Sequence, residues 1–97
     1  SVSKKALNFY CKIISKKYGS KNTKINIISP GNILLNKNNW YKRLLLEKDK
    51  TIRYINKNVP TSSFNEPKEI CKVIKLLLNK KSNFLGSNII LDGGQSL

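Results

Sequence analysis

Between positions 6 and 18 the apolar residues recur at three- and four-residue steps: Ala6, Leu7, Tyr10, Ile13, Ile14 and Tyr18. That spacing predicts a helix over residues 2–18 with a broad apolar face, and Lys5, Lys12 and Lys16 lie mostly off it. Gly19 and Ser20 offer a stop, and Lys16 and Lys17 suit the negative end of the helix dipole. The period then changes. Residues 24–29 are nearly continuously apolar and carry the β-branched Ile25, Ile27 and Ile28, as expected of a parallel strand covered on both faces. Pro30-Gly31 is expected to end the strand, since Pro brings no N–H for the ladder and Gly permits unusual backbone angles. Residues 32–39, with four Asn, read as a loop.

A helix over 40–47 pairs Trp40 with Leu44 and Tyr41 with Leu45, one turn apart. A second, short helix is expected over 51–56, and 61–63 is loop. Pro67 marks the first turn of another helix, where a missing N–H costs nothing. There Ile70, Cys71, Ile74, Leu77 and Leu78 form an apolar stripe opposite Lys68, Glu69, Lys72 and Lys75. The last element is a short strand over 88–91, closed by Asp92-Gly93-Gly94. Helix and strand alternating in this way predict an α/β layered unit. No internal repeat or low-complexity linker interrupts it.

Composition alters this picture little. Ninety-seven residues make one domain at most, and a chain of this size buries only about 60–65% of its unfolded surface. No apolar run approaches the roughly 20 residues that span a bilayer, and the start does not form a signal peptide, so a cytoplasmic location without membrane contact is expected. The net charge of +14 raises the question of nucleic acid. Yet Lys, Asn and Ile alone make 42 of the 97 residues, all types with A/T-rich codons, and the lysines are scattered over every segment instead of forming one footprint. A nucleic-acid partner is therefore not expected. Cys11 and Cys71 are 60 residues apart, with no His in the chain; no metal site is expected, and both read as reduced, structural thiols.

Three strings carry a stronger message together than singly: Ser1-Val2-Ser3-Lys4-Lys5-Ala6-Leu7, Ile25-Asn26-Ile27-Ile28-Ser29-Pro30-Gly31, and Ile89-Ile90-Leu91-Asp92-Gly93-Gly94. In this order and at these distances they resemble the C-terminal half of a short-chain dehydrogenase/reductase. The resemblance extends over essentially the whole of 1–97. It implies an α/β fold that is the C-terminal portion of a Rossmann-type doubly wound parallel sheet. Val59-Pro60, Phe64, Glu66-Pro67 and Glu69-Ile70 follow the family's pre-helix segment, although Ser62-Ser63 stands where Gly-Arg is common and Asn65 where Gly is common.

The resemblance also implies a chemistry: hydride transfer between NAD or NADP and a carbonyl or alcohol substrate. The family's Tyr-x-x-x-Lys signature puts its Lys at Lys4 and its Tyr immediately before Ser1, so the chain is expected to begin one residue too late for its own acid/base. Such a Tyr would lie one helical turn from Lys4, whose ammonium would draw the phenol's pKa from about 10 toward neutrality. The same Lys holds the nicotinamide ribose in relatives. Pro30, Gly31, Asn32 and Ile33 would line the nicotinamide site at the carboxyl end of the strand. Leu35 occupies the place where a cofactor-contacting Thr is common. Residues 34–57 would form the substrate loop, where Trp40 either walls the pocket over the carbonyl substrate or packs the lid onto the body, the second being favoured.

No Gly-rich strand-to-helix turn is present to seat a pyrophosphate, and the catalytic Ser and Asn of earlier strands have no counterpart here. The chain alone is therefore expected to be inactive, with negligible dinucleotide affinity. Relatives assemble as dimers or tetramers, which makes the face bearing Leu7, Tyr10 and Ile14 a candidate homo-oligomer interface. Two other readings stand beside this one: an inactive truncated remnant, or an interaction module pairing with a separately encoded N-terminal half.

Overall fold

The structure, a computed structural model, describes residues 2–35 and 37–97. The elements are α1 (Val2–Tyr18), a 3-10 turn (Gly19–Lys21), β1 (Ile27–Pro30), α2 (Asn39–Leu46), α3 (Lys48–Asn58), α4 (Pro67–Leu78) and β2 (Asn88–Leu91). β1 and β2 form a two-stranded sheet. The Ile27 amide donates to the Ser87 carbonyl and the Gly31 amide to that of Leu91, both at 2.8 Å. Partner number rises with donor number, so the strands are parallel. The same alternation turns the backbone groups of residues 27, 29 and 31 toward β2 and those of 28 and 30 away from it. Pro30 thus sits where its missing N–H breaks no ladder bond, and β1 runs through Pro30 instead of ending at Ser29.

The chain divides into two compact units: the chain up to Ser29 with Ile74–Ile89, and Pro30–Val73 with Ile90–Leu97. Both strands and α4 pass from one into the other.

In the first unit, α1 has the expected length, but its buried residues are not the expected ones. Cys11 and Ser15 are buried, whereas Leu7, Tyr10 and Ile13 are exposed. Small side chains allow a close approach: the Ser15 hydroxyl donates to the Ile25 carbonyl at 3.1 Å. A Cβ on Gly86 would stand 3.2 Å from the Ser15 Cβ, at a φ of +69°. Residues 24–26, expected in the strand, precede it. Asn26 replaces ladder bonds with side-chain bonds, its Oδ1 accepting from the Ser87 amide at 3.0 Å and its Nδ2 donating to Phe84 O at 3.2 Å. Lys24 Nζ reaches the carbonyls of Lys80 and Ser82 beyond the end of α4.

The second unit centres on Val59, which is 1% exposed, with Ile55 and Thr51. Asn38 caps α2, its Oδ1 accepting from the Tyr41 amide at 2.9 Å. The second short helix is longer than expected, Lys48–Asn58, and joins α2 through Glu47.

α4 begins at Pro67 as predicted, but its stripe is shifted. Ile70, Val73 and Leu77 are half-buried, while Cys71, Ile74 and Leu78 are exposed. Cys71 is therefore no core thiol; Cys11 alone is buried. Among the described residues no helix is long and apolar enough to cross a membrane, and no group of three or more His, Cys, Asp or Glu side chains could hold a metal ion.

Candidate functional site

Beyond β1 the backbone of the second unit is tied down on one side and open on the other. The Asn65 amide donates to Asn32 O at 2.8 Å and the Leu34 amide to Asn65 O at 3.0 Å. This is a parallel bridge between Ile33 and Asn65. In such a bridge the groups of residues 32 and 34 face Asn65, so the N–H and C=O of Ile33 itself point to the opposite edge. The Ile33 carbonyl accepts from Asn38 Nδ2 at 2.7 Å. Its amide has no backbone acceptor among the described residues.

The pinned side is closely built. A Cβ on Gly31 would meet Asp92 Cβ at 2.8 Å and Asp92 Cα at 2.9 Å, so only glycine fits. Asn65 Nδ2 donates to the Leu91 carbonyl, and Asn32 Nδ2 to Gln95 Oε1 at 2.9 Å. Asp92 organises the closing turn, its carboxylate accepting from the amides of Gly94 (2.9 Å) and Ser96 (3.1 Å). The Ser96 hydroxyl first, and then these amides, hold its carboxyl below the usual range against an opposing desolvation.

α2 and α3 of the same unit enclose a hollow of about 250 Å³ lined by Trp40, Arg43, Glu47, Lys50, Thr51 and Tyr54. Trp40 is also packed: its ring lies 5.7 Å from that of Tyr54 and 5.5 Å, edge-on, from that of Phe64. Trp40 thus makes packing contacts and also lines the hollow. Lys4 belongs to the first unit, exposed on the first turn of α1.

Comparison with known proteins decides the family. The family model described as enoyl-(acyl carrier protein) reductase matches residues 1–96. The chain belongs to the short-chain dehydrogenase/reductase family. Among curated members, carbonyl reductase family member 4 of Xenopus laevis is 27% identical over 95 residues, and glucose 1-dehydrogenase 2 of Bacillus subtilis (strain 168) is 24% identical over 98. Each match takes in nearly all of this chain, 98% and 100%, but the chain spans only 36% of the length of either relative. A 4-hydroxyisoleucine dehydrogenase mutant complexed with NADH and succinate superposes with a TM-score of 0.78 at 27% identity, covering 98% of this chain and 38% of that one. L-sorbose reductase from Gluconobacter frateurii, solved with NADPH and L-sorbose, shares the fold at the same TM-score and 24% identity, over 97% of this chain and 38% of that one. The fold is thus a C-terminal portion of the Rossmann-type short-chain dehydrogenase/reductase sheet, as its sequence predicts.

For a short-chain dehydrogenase/reductase the strand-end corner fits a nicotinamide. A carboxamide needs one donor and one acceptor, and the open edge of Ile33 offers an N–H together with the second lone pair of its carbonyl. Leu35, 46% exposed, adds no hydroxyl. Pro30, Gly31, Asn32 and Ile33 are brought together by the chain itself, and Trp40 lies in the same unit. Sequence reading singles out neither Asn38 nor Gln95, and marks Asn65 only as a departure from a common Gly. Asn38 carried a usable signal, as a capping residue just before an apolar-periodic run. Asn65 and Gln95 carried none, because their partners lie 26 and 63 residues away.

Proposed function

We propose that this chain supplies the Lys and the nicotinamide-side corner of an enzyme that transfers hydride between NAD or NADP and a carbonyl or alcohol carbon. The observation that carries this is the Ile33 edge, a peptide group turned away from its bridge partner Asn65 beside a close-packed Gly31. The similarity to dehydrogenase structures complexed with NADH supports it. The cofactor, when bound, supplies or takes up the hydride. Pro30 to Ile33 orient its carboxamide, and Lys4 holds a ribose hydroxyl. From the same helix Lys4 stabilises the phenolate of the family's Tyr, which exchanges the proton with the substrate oxygen. Residues 34–57 bound the substrate, with Trp40 both bracing the segment and facing it.

The enzyme works as a cytoplasmic homo-oligomer in this reading, with the exposed Leu7 and Tyr10 and the half-buried Ile14 on the contact face. A second reading is favoured by how little the two units bury. Among the described residues, Cys11, Ile55 and Val59 are the buried hydrophobic side chains. Such faces suit docking with the remainder of the fold, including one separately encoded.

One experiment addresses both. The chain is co-expressed with a polypeptide carrying the Gly-rich half of a family member and its Tyr, and NAD(P)H consumption is followed with carbonyl substrates. Activity is expected, with Lys4→Ala lowering kcat by roughly 100-fold or more. Absence of turnover in an assembled complex, or full activity of the Lys4→Ala variant, would refute the proposal.

A further inference from the structure

The α2–α3 hollow combines aromatic surface with uncompensated positive charge. The Arg43 guanidinium lies over the Trp40 ring, 4.9 Å from its centroid, and that ring is braced by Tyr54 and Phe64. The Arg43 backbone is held as well: its carbonyl accepts from the buried Thr51 hydroxyl at 3.2 Å and from the Glu47 amide at 2.8 Å. Lys50 lines the same space from α3. Glu47 is the one carboxylate on the lining, and neither it nor any other described carboxylate lies within 4.0 Å of the charged nitrogens of Arg43 or Lys50.

A guanidinium held over an indole loses less freedom when it accepts a ligand than one free in solvent, and its fork matches a carboxylate with two parallel hydrogen bonds. Two cations against one anion favour a negative guest. At about 250 Å³ the hollow admits only a small one.

We propose that this hollow is a specificity subsite for the carboxylate of a small carboxylate-bearing carbonyl substrate, with Arg43 as its fork and Lys50 as a second cation. This deepens the proposed function and rests on residues 34–57 being the substrate segment. Glu47 is then a selectivity brake, weakening anion binding by like-charge repulsion.

Trp40 is the only Trp in the chain, so its fluorescence reports on the hollow without any turnover. The full chain is titrated at low ionic strength with 2-oxobutanoate, with methyl 2-oxobutanoate as the neutral counterpart, and with inorganic phosphate. A saturable change is expected for the keto acid, which binds more tightly than phosphate, and none for the ester. Arg43→Gln should weaken the keto acid about five- to tenfold. Glu47→Gln should tighten it, a gain that misfolding does not produce. An equal response to the ester, tighter binding of phosphate, or no gain in Glu47→Gln overturns the proposal. Because no cofactor enters this measurement, its failure leaves the Lys4 result of the complemented enzyme standing. Failure of that enzyme, in turn, leaves anion binding to be read independently.

Discussion

Ser62 holds φ at +54°, in the left-handed region that an L side chain pays to enter. It closes a turn, donating its amide to the Val59 carbonyl at 2.7 Å beside the best-buried side chain of the second unit. Glycine is common at this place in the family, and the backbone shows why. Ser62→Gly is therefore expected to stabilise the chain by roughly 0.5–1 kcal/mol, read as a higher denaturant midpoint at an unchanged m-value. At this scale the sequence was legible where a residue's constraint is local. Pro67, at a first helical position, acts within its own turn. It was opaque where the constraint is remote. Gly31 is glycine because Asp92 packs against it, 61 positions further along the chain, and no local pattern records that.

Among the elements, α1, α4 and β2 could be read from periodicity and turn residues almost to their ends. Their inward faces could not. Hydrophobic periodicity points to the largest apolar side chains, but in α1 the close approach to Ile25 and Gly86 selects the small Cys11 and Ser15 instead. The strand boundary was missed for a related reason: hydrogen-bond parity, invisible in composition, lets Pro30 remain in β1. The two cysteines offer a test. Cys71 is on the exposed side of α4 and Cys11 is buried. In native buffer a disulfide reagent should titrate one thiol at the rate of an exposed cysteine, and Cys71→Ser should remove that phase. The second thiol should react only as fast as α1 opens. Two equally fast thiols would show that α1 is not held against Ile25.

For the molecule as a whole, charge and apolar exposure act against each other. The +14 net charge keeps copies apart through repulsion with a reach of about 10 Å at 0.1 M salt. Leu45, Leu46, Leu78 and Ile90 are meanwhile each more than half exposed. Light scattering is expected to stay low in dilute buffer and to rise toward 1 M sodium chloride, where the screening length falls to about 3 Å. A solution as monodisperse in concentrated salt as in dilute buffer would show that repulsion is not what separates the copies.

The outward-turned peptide groups of β1 decide what form that association takes. Position 28 presents a donor and an acceptor to the side away from β2, a ready template on which a foreign ribbon of backbone can grow. A proline at that position would blunt the template without touching the β1–β2 ladder. Ile28→Pro should therefore delay salt-induced, dye-positive fibre formation, a safeguard that Pro30 already provides at the neighbouring outward-facing site.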